Sequence, residues 1–320
     1  MKKKVVVIGG GNGTSAVILA LKKHLELFDI SAVVSMSDSG GATGKLRREL
    51  NILPPGDIMR VLLALSSYDY KLIKEIFYKN RFTGCGKLDE NNLGNLFVAL
   101  TERYAGSMTD TITALGQALK TVGNAYPATL DINDLYAELS DGQIIKGEGN
   151  LDKPIYDRSL KIKKVWLEPE AKIFDGTKQA IADADYIILP PGGIYTSIIA
   201  ALLPTGVKEA IAESKAKIIF VCPGMFAASH ETGPESYSGM VDALSGYLPR
   251  PLDLVIYSNH ATNPERAKLY TEKNWQFLDK DFDQVPGIEL VLADFEREDP
   301  NEPYAVSAIK LGEILKNILV

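Results

Sequence analysis

Cysteine and histidine are scarce in this chain of 320 residues, which holds two of the first and three of the second. Cys85 and Cys222 lie far apart with no Cys-x-x-Cys spacing, so they give no zinc or redox signature and suit a reducing compartment. His24, His230 and His260 fall in no nucleophile or metal pattern. His24 is expected on a helix surface, and the other two in loops that follow late strands. The sequence has no Gly-x-Ser-x-Gly elbow and no His-Glu-x-x-His helix, so ordinary hydrolase chemistry has no visible machinery. Positive charge is also in deficit: 35 Lys and Arg stand against 41 Asp and Glu, a net charge of -6. That balance argues against the basic footprint needed by duplex nucleic acid or an anionic membrane surface. Long apolar runs are missing too, and none approaches the ~18 residues of a membrane span. The start, MKKKVVVIGG, passes straight into glycines without the apolar core of a signal peptide. The expectation is a cytoplasmic protein with no membrane insertion and no nucleic-acid partner. A homo-oligomer and an unidentified regulatory protein partner are left open.

What is present is an ordinary globular composition, 46% hydrophobic and 24% charged, in a chain long enough for a sizeable core. Short β-branched runs alternate with helical patterns from the start: Lys4 to Ile8, Ser15 to His24, then Ile30 to Met36. Such alternation predicts βαβ units and a mostly parallel sheet with helices on both faces. Helices are expected over 46–50, 57–66, 93–103 and 305–319. Further strands are expected in ADYIIL, AKIIFVC, LDLVIYS and IELVLADF. Between them, residues 129–167 alternate around Asp141-Gly142, a hairpin signal. They read as a small β-rich insertion in a single domain spanning 1–320.

Three stretches combine a strand, a glycine loop and a helix, and ligands in open α/β sheets sit beyond the carboxyl ends of such strands. The first, VVVIGGGNGTSAVILAL, sets Gly10, Gly11, Asn12, Gly13 and Thr14 at a helix start. Gly11, Gly13 and Ala16 satisfy the G-x-G-x-x-A spacing, in which bare N–H groups face a phosphate. The second follows the next strand, where Asp38 stands at the position of a ribose-binding acid. An NAD-binding oxidoreductase is therefore one reading. Ser39, Gly40 and Gly41 follow, and Lys45, Arg47 and Arg48 come in the first turns of the next helix. A ribose acid needs no such second glycine loop, so a ligand carrying a diphosphate and a sugar, or a second anionic substrate, fits better. Lys45 and Glu49 also have the spacing of an exposed ion pair. In the third, LPPGGIYTSIIAAL, Pro191, Gly192 and Gly193 precede Thr196 and Ser197, whose hydroxyls either cap the helix or meet the ligand. Tyr195 is a stacking or hydrogen-bonding candidate.

Asp38 and Asp57 supply two carboxylates beside these loops. Magnesium is commonly held by one or two carboxylates plus substrate phosphates, and this pair fits that description. No cofactor is expected to be required, and a weakly held magnesium ion is the one metal entertained. Asp57 also stands where a helix N-cap would, and the two roles are compatible.

The order GGGNGTS, SDSGGATGKLR, PPGDI, NLGNL, AELSDG and ADYIILPPGGIYTSI, over residues 4 to 260, resembles the CofD-like superfamily. In particular it resembles the YvcK-type proteins called gluconeogenesis factors. The resemblance implies a three-layer Rossmann-like α/β fold. It also implies one of two activities: UDP-sugar binding in the regulation of carbon metabolism, cell shape and envelope synthesis, or the transfer of a phospholactyl-type group from a guanosine diphosphate-linked donor to a deazaflavin alcohol. The order of the motifs points to the non-catalytic regulator. The family's Asp-Asp-Gly-Gly is Asp38-Ser39-Gly40-Gly41 here, so one acid has become Ser39. Gly94, Asn95 and Leu96 match the family's Gly-Asn-Leu, which implies a nucleotide contact for Asn95. Glu231 and Thr232 are all that remains of its Thr-Gln-Pro-Gly-Glu-Thr loop, which implies an altered non-nucleotide half of the ligand.

Overall fold

The computed structural model describes residues 1–262, 264–297 and 304–320. Its centre is a seven-stranded, wholly parallel sheet. Twelve strands form among the described residues: β1 (Lys3–Gly9), β2 (Phe28–Val34), β3 (Asn124–Pro127), β4 (Asp134–Leu139), β5 (Ile144–Lys146), β6 (Ile162–Glu168), β7 (Tyr186–Leu189), β8 (Lys217–Cys222), β9 (Met225–Ala227), β10 (Leu254–Ser258), β11 (Trp275–Phe277) and β12 (Glu289–Ala293). The central order is β12-β10-β8-β7-β1-β2-β3. From β1 the chain builds outward to β2 and β3, then returns to the other side of β1 at β7 and builds outward again. The topological switch point therefore lies between β1 and β7.

This arrangement explains the apolar runs. In β1, Val5 and Val7 enter the core on one face of the sheet while Val6 and Ile8 enter the core on the other. A strand buried on both faces has no polar side, so it reads as a continuous hydrophobic stretch. One face is covered by helices α1 (Gly11–Leu21), α3 (Pro55–Leu65) and the C-terminal Ala308–Leu319. Helix α2 (Gly41–Leu50) lies between α1 and α3 in the chain. The other face is covered by the segment Ile194–Leu202 and the helix Tyr237–Ser245, among others.

The β-rich stretch becomes a separate antiparallel sheet, β5-β4-β6. Gly142 turns the hairpin with φ of 90°, as the Asp-Gly pair predicts. The helix expected over 15–24 starts earlier, at Gly11, and tightens into a 3-10 turn over Lys22–His24. That turn buries His24 and sets its Nε2 3.0 Å from Glu313 on the C-terminal helix, correcting the expected surface position. No helix among the described residues is long and apolar enough to cross a membrane.

Candidate functional site

The loops after β1, β2 and β7 meet at the carboxyl end of the sheet, and the first and third touch. A Cβ on Gly13 would lie 1.5 Å from the Pro191 carbonyl oxygen, so the first loop can approach the third only because residue 13 has no side chain. Gly11 adopts φ of 65°, a left-handed conformation that begins α1. Gly10 has extended backbone at the N-cap, and Thr14 returns its hydroxyl to the Gly10 carbonyl at 3.0 Å. Asn12 is exposed. The N–H groups at the start of α1 thus have no side-chain cap, which suits an anion.

The second loop is closed by the insertion. The Gly40 N–H donates to Asp38 Oδ1 at 2.9 Å, the Ser39 N–H to Glu148 Oε2 at 3.3 Å, and the Gly149 N–H to Ser39 Oγ at 3.0 Å. A Cβ on Gly149 would come within 3.0 Å of Gly40 Cα. The sequence Gly147-Glu148-Gly149 therefore seats a third carboxylate against Asp38. Burial, and then the neighbouring Asp57, push the Asp38 carboxyl up to about 6; burial, and then Asp38, push Glu148 up to about 9. Glu148 was not among the residues expected at the site. Its only sequence signal is the pair of flanking glycines, which allow the close approach.

Asp57 is placed differently from expectation. The N-cap of α3 is Pro54, with Pro55 at the first helical position, and Asp57 lies inside the first turn without capping it. Proline is already pre-formed for that start, so the carboxylate is free for another use. It pairs with Arg60 one turn on, Oδ1 to Nη1 3.1 Å, and its other oxygen would lie 2.4 Å from a Cβ on Gly10. Arg60 in turn donates from Nε to the Tyr78 hydroxyl at 2.7 Å and lies 4.9 Å from the centre of that ring. Its Nη1 is 3.5 Å from where a Cβ on Gly11 would stand. Arg60 was likewise unexpected, although its i+3 spacing from Asp57 was a visible cue.

Several expected ligand contacts are committed elsewhere. Arg47 is buried, donates to the Asn133 carbonyl and pairs with Asp134 at 3.1 Å, so it fastens α2 to the insertion. Tyr195 is buried and its hydroxyl donates to the Ile162 carbonyl at 3.3 Å, which removes it as a stacking platform. At the third loop, Glu231 accepts from the N–H groups of Ile194, Tyr195 and Thr196 and from the Thr196 hydroxyl. The donors after Gly192 and Gly193 that a diphosphate would use are thus held by a carboxylate. Ser197 Oγ faces the first loop, 3.9 Å from the Gly11 Cβ position. Lys45 is half-buried and forms no ion pair with Glu49. Asn95 is buried, with its amide 3.5 Å from Thr43 Oγ1, and the same Thr43 atom lies 2.6 Å from the Gly56 Cβ position, beside Asp38 Oδ2 at 3.1 Å.

Among the described residues, no group of three or more His, Cys, Asp and Glu is arranged to hold a metal ion. Asp38 and Asp57 nevertheless lie together beside the loops, where Asp57 adds to the burial that holds the Asp38 carboxyl above its ordinary range.

A parallel sheet with its glycine loops converging at the switch point defines a doubly wound, Rossmann-like α/β protein. The chain belongs to the CofD family: the family model described as 2-phospho-L-lactate transferase CofD matches residues 5–296. It is 34% identical to a putative gluconeogenesis factor of Thermotoga maritima, covering 98% of this chain and 99% of that protein. It is also 34% identical to a gluconeogenesis factor of Halalkalibacterium halodurans, covering 85% and 83%. A crystal structure of a Bacillus halodurans protein superposes with a TM-score of 0.90 at 30% identity, covering 99% of this chain and all of that one.

Proposed function

We propose that this protein binds a nucleoside diphosphate-sugar, a UDP-sugar first among them, and acts as a regulator of carbon metabolism, with cell shape and envelope synthesis as further outputs. The observation that carries the proposal is the uncapped start of α1, open between the Asp38 and Pro191 loops. It offers N–H groups to a phosphate, with carboxylates alongside to accept hydrogen bonds from sugar hydroxyls. The relatives' name, gluconeogenesis factor, supports the metabolic half of the reading. Asp38 and Asp57 would hold a magnesium ion together with the ligand's phosphates, and the ion would neutralise charge there. Ser39, in the place of the family's second acid, favours binding over transfer.

A second reading is transfer of a phospholactyl-type group to a deazaflavin alcohol, favoured by the name of the matching family model. An NAD-binding oxidoreductase is third; Asp38, pressed against Asp57 and Glu148, is poorly suited to serve as a lone ribose acid. Calorimetric titration of the purified protein with UDP, UDP-sugars, guanosine diphosphate and NAD, with and without magnesium, separates the three. Tightest binding of a UDP-sugar is expected. A preference for guanosine diphosphate with turnover of a deazaflavin alcohol moves the assignment to the transferase.

A further inference from the structure

The first glycine loop has an acidic neighbourhood, which raises the question of what balances an incoming anion. Asp38, Asp57 and Glu148 all face this region and repel one another. Arg47 is already paired with Asp134. Arg60 is the cation that reaches under the loop, its Nη1 3.5 Å from the Gly11 Cβ position, and its side chain keeps 24% of its surface exposed.

The way Arg60 is held leaves part of it unspent. Nε is committed to Tyr78 at 2.7 Å, Nη1 to Asp57 at 3.1 Å, and the guanidinium plane rests near the Tyr78 ring. Ser15, in the first turns of α1, donates to the Arg60 backbone carbonyl at 3.3 Å, tying the helix that carries the glycines to the helix that carries the arginine. Nη2 has no hydrogen-bond partner among the described residues. A planar guanidinium fixed on two sides, with one edge free and some exposure, is pre-organised for an oxygen anion.

We propose that Arg60 is an anion-recognition residue of the α1 cradle: its guanidinium, set beside Gly11 with Nη2 uncommitted, donates to a phosphate oxygen of the ligand, while Asp57 and Tyr78 hold it in position. Gly11 has no side chain to stand between them. The ligand class is a phosphate or diphosphate ester. The proposal rests on the nucleotide reading for which molecule carries that group, although not for the group itself.

The test uses the whole chain, chelator present, titrated separately with inorganic pyrophosphate and with UDP. Wild type is expected to bind both. Arg60→Gln should weaken both at least tenfold, with Arg60→Lys intermediate, since a lysine keeps the charge and loses the fixed edge. Asp57→Asn should do the opposite for pyrophosphate and tighten it several-fold, because a repelling carboxylate is gone and Arg60 is no longer neutralised. A purely structural pair would lose affinity in both variants, and that result overturns the proposal, as does unchanged binding in Arg60→Gln. If the glutamine variant fails to fold, the lysine and Asp57→Asn variants still decide it. Pyrophosphate binding that depends on Arg60, with UDP ignored by wild type, upholds Arg60 and overturns the nucleotide reading. UDP binding indifferent to Arg60 does the reverse, and no binding of either probe overturns both.

Discussion

Glu231 accepts two hydrogen bonds from Thr196, one from its N–H at 2.9 Å and one from its hydroxyl at 2.8 Å. The same carboxylate serves the N–H groups of Ile194 and Tyr195. It does at the third loop what a bound anion would do, and it comes from a segment 35 residues further along the chain. Removing it strands several donors at a helix start. Glu231→Ala should therefore lower stability by roughly 1–3 kcal/mol, and Glu231→Gln by less, since one acceptor oxygen survives. Equilibrium denaturation of the three proteins checks the order.

The glycines of the first loop are expected to respond in two different ways. Gly13→Val should destabilise the whole fold, because the new side chain would occupy the position of the Pro191 carbonyl and drive the β1 and β7 loops apart. Gly11→Ala meets no atom closer than Arg60 at 3.5 Å, so its cost is the left-handed backbone alone, about 1–2 kcal/mol. Thermal unfolding should show the valine variant far below the alanine one. Equal melting temperatures would mean that the two loops can part freely.

A pH dependence follows from the Asp38 and Glu148 pair. Both carboxyls are raised in the folded protein, to about 6 and about 9, above their ordinary 3.8 and 4.5. Over that interval the native state holds protons that the unfolded chain has released. The contribution of the pair is thus fully present below about pH 4 and declines as pH rises through the two folded values. Glu148→Gln should flatten the decline and raise the melting temperature at neutral pH. A Glu148→Gln profile as steep as that of wild type, measured from pH 5 to 9, would contradict the coupling.

Asp38 is expected to act on the ligand more than on the fold. Asp38→Asn keeps an acceptor for the Gly40 N–H and removes a charge that burial opposes, so its melting temperature should equal or exceed that of wild type at neutral pH. Its affinity for a UDP-sugar should fall several-fold in calorimetry, with the magnesium response reduced. With two carboxylates rather than a full cage, chelation should weaken binding of the wild type without abolishing it. Complete loss of binding on chelation would show a metal organising the site.

Much of the framework was readable from the chain itself. A parallel strand buried on both faces must be apolar throughout, so β1, β2, β7, β8 and β10 announce themselves as short hydrophobic runs. A loop that turns from such a strand into a helix leaves glycines behind it, and an Asp-Gly pair in alternating residues marks a hairpin. These are local rules, with cause and effect lying within a few residues. Asp57 shows where local rules stop: an acid near a helix start looks like a cap, but Pro54 and Pro55 already begin α3, and the carboxylate turns to Arg60. Glu148 reaches Ser39 across 109 positions, and Glu231 reaches Thr196 across 35. Neither contact leaves a periodicity or spacing in the sequence, because each depends on how the insertion and the loop after β9 fold back over the sheet. The alternating strands and the three loops at their ends are therefore written into the order of the residues. Which loop's N–H groups meet a carboxylate is set by packing, since a buried donor takes the nearest acceptor in space: Glu231 serves the third loop, whereas no side chain caps the start of α1.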